Sequence, residues 1–353
     1  MPLDPIDAHD RWDGFLRSHT DALIYHHPLW LRVLERSFGY EVEGLAVEDS
    51  AGRLEGVLPL ATRRDRRGRE SLSSLPHTPI AGPLGRDQHA VIALMNAAVN
   101  RVTSGPKGHL LIKVEAPLTN GPSEKLLVVR WDATYSRELP RRLEDLRFGD
   151  SRNHGTIARG VRKAEREGLE VRRATTIEDV RRWYPLYLEA MRAHAVPPRP
   201  LRFFEIAWEM LAEPGLMRLL LAEKTERRQR VPVAGSIFFT FGCTVFFAFN
   251  GRSESALPLR PNDAIHWQAL ADACRAGFRR FDFGEVSQGQ HGLASYKKKW
   301  GAKPIPLHRY YYPKIGLGGR ILRSESPAHK IAARVWQRLP LVVTESVGKA
   351  LYR

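Results

Sequence analysis

The side chains best suited to chemistry lie between residues 280 and 300. Asp282 and Glu285 stand at the end of a predicted strand, RRFDFGEV, and His291 follows in the next loop. Strand ends and the loops after them often carry active-site groups, so one of these side chains, Glu285 first, could accept a proton. The ordinary alternatives are a turn-capping Asp282 and a loop histidine without a role, and the second is favoured for His291.

A second candidate is the basic helix predicted within SRNHGTIARGVRKAEREG, which ends at Gly168. Residues three and four apart share one helical face, so its cations could bind phosphates together. These cations are Arg159, Arg162, Lys163 and Arg166, with Arg152 just before them. The alternative is a solvated helix partly neutralised by Glu165 and Glu167, and the sequence does not decide between the two.

The charge of the whole chain is consistent with an anionic partner. Its 353 residues include 55 Lys and Arg against 39 Asp and Glu, a formal net charge of +16. Such an excess favours nucleic acid, phosphorylated intermediates or an anionic membrane face, although Arg-rich proteomes also make generally basic proteins.

Other classes of function are disfavoured. The only cysteines are Cys243 and Cys274, which cannot form a disulfide framework, and no Cys/His spacing suggests a metal site. The start of the chain lacks a basic segment followed by an apolar run, and no stretch is long enough to span a bilayer. We therefore expect a cytoplasmic protein with no metal and no cofactor.

The elements that position these residues alternate between helix and strand. Pro28 begins and Gly39 follows one amphipathic helix, a DSAG turn joins two strands, and Thr176 caps another helix. Each half of the chain runs from helices to a meander of strands, then a helix and a last strand. This order is expected of an acetyltransferase-type domain, so the pattern predicts an α/β (α+β) fold of two duplicated domains.

We predict three segments. Residues 1–150 form the first domain, residues 151–315 the second, and residues 316–353 a tail of one or two basic amphipathic helices. Packing on the body is the usual role of such a tail, and contact with a membrane surface is the minority interpretation.

The block from Arg279 to Pro313 resembles the C-terminal motif of FemAB-related proteins. The matching residues are Phe281-Asp282-Phe283-Gly284, Gly292, Tyr296-Lys297, Trp300-Gly301 and Pro304. A second match is the basic helix, at Arg159, Arg162, Lys163, Ala164 and Gly168. A third match lies in the first half of the chain, at Trp30, Phe38-Gly39, residues 56–60, Ser74-Leu75-Pro76 and Gly82. These motifs occur in order over most of the chain, and members linked to exopolysaccharide and PEP-CTERM systems are the most similar.

The resemblance implies tandem GNAT (acyl-CoA N-acyltransferase-like) domains with mixed, mainly antiparallel sheets. It also implies an acyltransferase that moves an aminoacyl or acyl group from aminoacyl-tRNA to an amine of a peptidoglycan or polysaccharide precursor. The first domain would bind the acceptor, and the second would bind the donor and carry the catalytic motif. Such work fits the cytoplasm, at the inner face of the membrane.

The resemblance also assigns roles to residues. Lys297 would hold the oxyanion or the donor ester, although alone the run Lys297–Lys299 is typical of a solvated surface. Glu285 or Asp282 would accept the amine proton. Predicted donor-binding residues are Tyr296, Arg159, Arg162, Lys163, Arg252, Arg260 and Asn262, and predicted acceptor-binding residues are His27, Trp30 and His77.

Two other functions stay open. An acyl-CoA-dependent N-acyltransferase of an amino sugar or polyamine is the first, although RSESALPLRPND has no glycine where a pyrophosphate-binding loop would lie. The second is a non-catalytic accessory protein that binds nucleic acid or a membrane.

Overall fold

A computed structural model of the chain describes residues 1–5, 7–64, 70–104, 108–118, 125–150, 152–287, 289–314 and 327–352, with the backbone alone for 327–331. The strands are β1 (Pro2–Leu3), β2 (Glu41–Glu48), β3 (Leu54–Arg64), β4 (Glu70–Ser73), β5 (Leu84–Gly85), β6 (His109–Val114), β7 (Leu127–Glu138), β8 (Leu169–Arg173), β9 (Met217–Glu226), β10 (Gln229–Phe241), β11 (Thr244–Arg252), β12 (Arg280–Val286) and β13 (Lys303–Tyr312). The helices are α1 (His9–Ser18), α2 (Pro28–Phe38), α3 (Gln88–Thr103), α4 (His154–Arg166), α5 (Ile177–Ala193), α6 (Leu201–Leu211), α7 (Pro261–Arg275), α8 (His291–Lys299), α9 (Pro327–Arg338) and α10 (Leu341–Leu351).

Contacts divide the chain into two compact units. The first unit is Met1–Thr134 with Ile305–Ser324, and the second unit is Tyr135–Pro304 with Glu325–Arg353. This division by contacts differs from the segments 1–150, 151–315 and 316–353, whose predicted roles stay predictions.

The first unit is a mainly antiparallel sheet with one parallel step. Strands β1 to β4 pair antiparallel in chain order, β4 pairs parallel with β6, and β13 pairs antiparallel with β6. Neighbouring parallel strands need a crossover, which α3 supplies. Its buried residues Leu94, Met95 and Val99 share one core cluster with the sheet.

The second unit repeats the order of the first. Strands β8 to β11 pair antiparallel in chain order, β11 pairs parallel with β12, and α7 forms the crossover between these two. Two helices separate the first and second strands of the series in each unit, α1 and α2 in one and α5 and α6 in the other. The predicted duplicated fold with mainly antiparallel sheets is confirmed.

Local signals in the sequence explain several element ends. Helix α2 begins with Pro28 at its first turn and ends at Gly39, whose φ of 68° is the left-handed cap conformation. Thr176 precedes α5, and the Asp179 carboxylate accepts bonds from the backbone N–H groups of Thr175 and Thr176. The DSAG turn joins β2 and β3 in an antiparallel hairpin.

The C-terminal tail contains two helices, α9 and α10, and the predicted tail residues 316–326 lie outside the described residues. Helix α10 packs within the second unit through Gly348, where a Cβ would overlap the carbonyl oxygen of Pro198. Thr344 on the same helix is fully buried.

The basic helix α4 packs closely on α7, the crossover helix of the second unit. Its apolar face buries Ile157, Val161 and Ala164, and Gly160 lies against Asp263 of α7. A Cβ on residue 160 would overlap Asp263 Oδ2 and approach its Cγ to 3.1 Å. Only glycine therefore allows this approach, and the apposition turns the charged residues of α4 away from α7.

We expect Gly160→Ala to destabilise the second unit by about 1–3 kcal/mol, because the added methyl group must displace a buried carboxylate. The free energy of unfolding in urea measures the effect. Gly155→Ala, on the same helix, is the control, because its Cβ would meet only the end of the Arg159 side chain, at 3.3 Å. Equal stability of the two variants would contradict the close packing.

Candidate functional site

Strand β12 has a left-handed backbone conformation at Gly284 within the FDFGEV segment. Gly284 has a φ of 82°, which non-glycine residues rarely adopt. The buried Asp282 carboxylate fixes this conformation, since its Oδ1 accepts the Gly284 N–H at 2.6 Å and its Oδ2 accepts a bond from Arg280 at 3.3 Å. Asp282 therefore holds the backbone that follows it.

Lys297 reaches this backbone from α8. Its side chain is only 4% exposed, and Nζ donates to the carbonyl oxygens of Gly284 at 2.9 Å and Glu285 at 3.2 Å. Lys298 is exposed and Lys299 half-buried, so one lysine of the three points inward. The interpretation of the run as a solvated surface does not hold for Lys297.

Burial lowers the pKa of Lys297 from 10.5 to about 8, and the charges of Asp282 and Glu285 oppose this shift. At neutral pH the side chain is therefore still mainly an ammonium ion, in a poorly solvated place. An ammonium has three N–H donors, and the two carbonyl bonds use two of them. The remaining donor could bind the oxygen of a carbonyl or an oxyanion.

The lysine lies where two parallel strands stop pairing. Residues Thr244–Phe246 of β11 pair with Arg280–Asp282 of β12, and both strands continue beyond this point. Gly284 and Glu285, whose carbonyls hold Lys297, come two and three residues after Asp282, the last paired residue. The ammonium therefore marks the place where the two strands diverge.

A buried polar group that sequence reasoning missed lies next to Lys297. His266 of α7 is 1% exposed, and its Nδ1 is 2.8 Å from the hydroxyl of Tyr296. Burial and the charge of Lys297 lower the pKa of His266 to about 3, so the imidazole is neutral. Burial, with the nearby Asp263, raises the pKa of Tyr296 above its usual value. Tyr296 is thus held between α7 and α8 as a neutral phenol.

Asp263 completes this group from the first turn of α7. Burial raises the pKa of its carboxyl, and the charges of Lys299 and Arg260 oppose the rise. The available sequence signal was the spacing of Asp263 and His266, which are three apart and therefore on one helical face.

The other predicted donor-binding residues lie on α4 and around the start of α7. Arg159 and Arg162 are exposed and Lys163 is half-buried, all off the face that α4 packs on α7. Arg260 precedes α7 with a φ of 61°, and the charge of Arg252, at the end of β11, opposes the rise that burial causes in the pKa of Tyr296. Asn262 Oδ1 is buried and has no hydrogen-bond partner among the described residues.

The predicted acceptor-binding residues lie in the first unit, where their visible contacts are structural. His27 caps α2, with Nδ1 accepting the Leu29 N–H at 3.1 Å, and burial lowers its pKa to about 4. Trp30 is buried and donates to Thr78 Oγ1 at 3.3 Å. His77, half-buried, is 2.7 Å from the Tyr40 hydroxyl. Their role in acceptor binding stays a prediction.

Replacing Lys297 is expected to change how stability depends on pH. Because the pKa of Lys297 is about 8 in the folded chain and 10.5 as its ordinary value, the unfolded chain binds more protons between these values. The free energy of unfolding of the wild type therefore increases by up to about 3 kcal/mol through Lys297 as the pH rises from about 8 to 10.5. Below pH 8 this group causes no change of stability with pH. Lys297→Met should lack this gain.

Urea unfolding at pH 7 and pH 9.5 measures the difference between the two proteins. Lys298→Met, which removes an exposed neighbouring lysine, is the matched control and should keep the wild-type pH dependence. The same change in stability for wild type and Lys297→Met would contradict the buried ammonium.

Comparison with known proteins identifies the domain in which this site lies. Residues 151–298 match the family model described as Acetyltransferase (GNAT) domain. This segment contains α4, α7, the diverging strands and Lys297. The match confirms the prediction of an acyltransferase. No curated protein matches the chain.

Solved structures show the same fold over nearly the whole chain. FemX has 14% sequence identity and a TM-score of 0.69, covering 89% of this chain and 97% of its own. The C-terminal domain of a protein from Agrobacterium fabrum, described as a lysylphosphatidylglycerol synthetase, has 12% identity and a TM-score of 0.59, covering 89% and 93%. L-PGS from Bacillus licheniformis has 12% identity and a TM-score of 0.52, covering 88% and 98%. Residues 151–298 are thus an acetyltransferase (GNAT) domain, in a chain with the FemAB-like fold of FemX.

Proposed function

We propose that this protein transfers an aminoacyl group from aminoacyl-tRNA to an amine of a cell-envelope precursor, either peptidoglycan or polysaccharide. The observation that carries the proposal is the buried Lys297 ammonium at the point where β11 and β12 diverge within a GNAT domain. A fold shared with a protein described as a lysylphosphatidylglycerol synthetase supports transfer of an aminoacyl group.

In this mechanism the donor carbonyl lies against Lys297. As the acceptor amine attacks, negative charge develops on the carbonyl oxygen, and the remaining N–H of Lys297 stabilises it. The carbonyls of Gly284 and Glu285 fix the ammonium before the reaction, so no reorganisation is needed. Asp282 acts as a positioning residue, since its carboxylate is occupied by Gly284 and Arg280.

The attacking amine must lose a proton. Glu285 is half-buried, and its charge opposes the lowering of the Lys297 pKa by burial, so its carboxylate lies near the ammonium. It can accept the amine proton and pass it to the tRNA 3′ oxygen as the tetrahedral intermediate collapses and that oxygen leaves. Tyr296, held by His266, forms the wall beside the donor.

The exposed cations of α4 are the proposed contact for the donor's phosphates. Arg159, Arg162 and Arg166 are exposed on a helix whose opposite face is fixed by Gly160. A charged tRNA offers phosphates at regular intervals along its backbone, and each contact would release counterions and add to the salt dependence of binding.

A donor screen tests the proposal directly. The full chain is incubated with a pool of charged tRNAs, or with a set of acyl-CoAs, and with an amine-bearing envelope precursor, and the product is detected by mass spectrometry. Product that requires charged tRNA and disappears after RNase treatment is expected. If product formation requires acyl-CoA instead, the donor is acyl-CoA and the proposed tRNA donor is wrong. Binding of tRNA without any product would indicate an accessory protein.

We expect Lys297→Met to lower the transfer rate by roughly 10²–10³-fold, as for the loss of one oxyanion donor, and Lys298→Met to leave it near wild type. Because the proposed role needs the ammonium, the wild-type rate should fall as pH rises through about 8, the pKa of Lys297. Full activity of Lys297→Met, or a rate that rises through this pH, would contradict the mechanism.

The charge of α4 has its own test. Arg159→Gln with Arg162→Gln should weaken tRNA binding and reduce its salt dependence. Arg227→Gln with Arg228→Gln removes the same charge from an exposed hairpin turn and is the control. Equal loss in both double variants would indicate non-specific attraction to a basic protein.

We also propose that the protein works at the inner face of an anionic membrane. Among the described helices, none has the length and apolar character to cross a bilayer. The C-terminal helices expose Val335, Val342, Val343 and Leu351, at 57%, 72%, 41% and 57%. Arg334, Arg338 and Lys349 are exposed on the same helices. Exposed apolar side chains beside cations suit an anionic lipid surface.

Vesicle co-sedimentation measures this contact. The chain should bind phosphatidylglycerol vesicles more strongly than phosphatidylcholine vesicles, and Val342→Ser with Val343→Ser should weaken the binding several-fold. Val128→Ser with Val196→Ser is the control, because both side chains are 41% exposed elsewhere. No preference for anionic vesicles would contradict the proposal.

A further inference from the structure

A cavity of about 400 Å³ lies within the second unit, at the far end of α7 from Lys297. Its apolar lining comes from the sheet, at Leu220, Phe238 and Val245, and from α7, at Ala269 and Ala273. Its lining on α7 runs from Ala269, about one turn after His266, to Ala276, on the order of 15 Å along the helix from His266. None of the residues that line it belongs to the proposed active site, so the cavity is a separate site.

The charges around this cavity are unbalanced. Arg173, Arg218 and Arg275 line it together with a single carboxylate, Asp272. Asp272 is already engaged, since Arg275 donates to it at 2.8 Å and Gln268 at 2.9 Å. Two guanidinium groups thus face the cavity with little compensation.

Arg218 shows the imbalance most clearly. Its Nε is buried and lacks a hydrogen-bond partner among the described residues, while its guanidinium lies 5.9 Å from the centre of the Phe278 ring. Burial and the charge of Arg173 lower the pKa of Arg218, and Asp272 only partly opposes this. A buried donor without a partner destabilises the folded chain. An anion in the cavity would satisfy the donor and relieve the repulsion.

We infer that this cavity is a second ligand site, which binds a small anion with an apolar part, such as a carboxylate or phosphate monoester on a short chain or ring. The anionic group binds Arg218 and Arg173, and the apolar part lies on Phe238, Val245 and the alanines of α7. The volume suits a ligand of roughly a dozen non-hydrogen atoms, at ~30 Å³ for each water-sized group. Inorganic anions alone would leave the apolar surface unfilled.

Isothermal titration calorimetry on the full chain tests this with four probes: hexanoate, hexyl phosphate, hexanol and inorganic phosphate. We expect hexanoate or hexyl phosphate to bind at least tenfold more tightly than hexanol and phosphate, and the stronger of the two identifies the anionic group. The inference would be overturned if hexanol bound as tightly as hexanoate and hexyl phosphate, or if none of the probes bound.

Variants locate the binding on the chain. Arg218→Gln should weaken binding of the better probe at least tenfold, and Arg202→Gln, an exposed arginine of α6, should not. Ala276→Trp closes the rim from an exposed position and should also abolish binding. Because Ala276→Trp leaves the core unchanged, it still tests binding in the cavity if Arg218→Gln fails to fold. Full binding of the probe by Ala276→Trp would overturn the inference.

Discussion

The proposed chemistry depends on one interaction, the buried ammonium of Lys297 held by two backbone carbonyls of β12. This interaction requires a backbone conformation at residue 284 that glycine adopts readily. It also requires the Asp282 carboxylate, which fixes that conformation by accepting the Gly284 N–H. The cost of burying the charge is offset by these carbonyls and by nearby acids. The result is a cation fixed at the point where two strands of the GNAT domain separate.

Helix α7 organises the second unit around this point. It forms the crossover between β11 and β12, supplies His266 beside Tyr296, and receives α4 through Gly160 against Asp263. The same helix lines the arginine-rich cavity with its other end. One element thus connects the packing of the basic helix, the surroundings of the lysine and the second proposed ligand site.

Much of the fold could be predicted because its signals are local. Pro28, Gly39 and the residues around Thr176 mark helix ends by backbone chemistry that acts within one turn. The position of Lys297 could not be predicted in this way, because three adjacent lysines look alike until tertiary packing chooses the one that faces inward. His266 was missed for a related reason: its spacing from Asp263 is the only local signal, and its partner Tyr296 is 30 residues away in the chain.

A direct titration of the lysine side chains tests the central claim. In a chain labelled with ¹³C at the lysine ε-carbons, NMR follows each amine as pH is raised, and the Lys297→Met spectrum assigns the signal. One resonance that titrates near pH 8, where the surroundings of Lys297 set its pKa, and that is absent from the variant is the expected result. A Lys297 resonance that titrates near 10.5, the ordinary value for lysine, would contradict the buried ammonium.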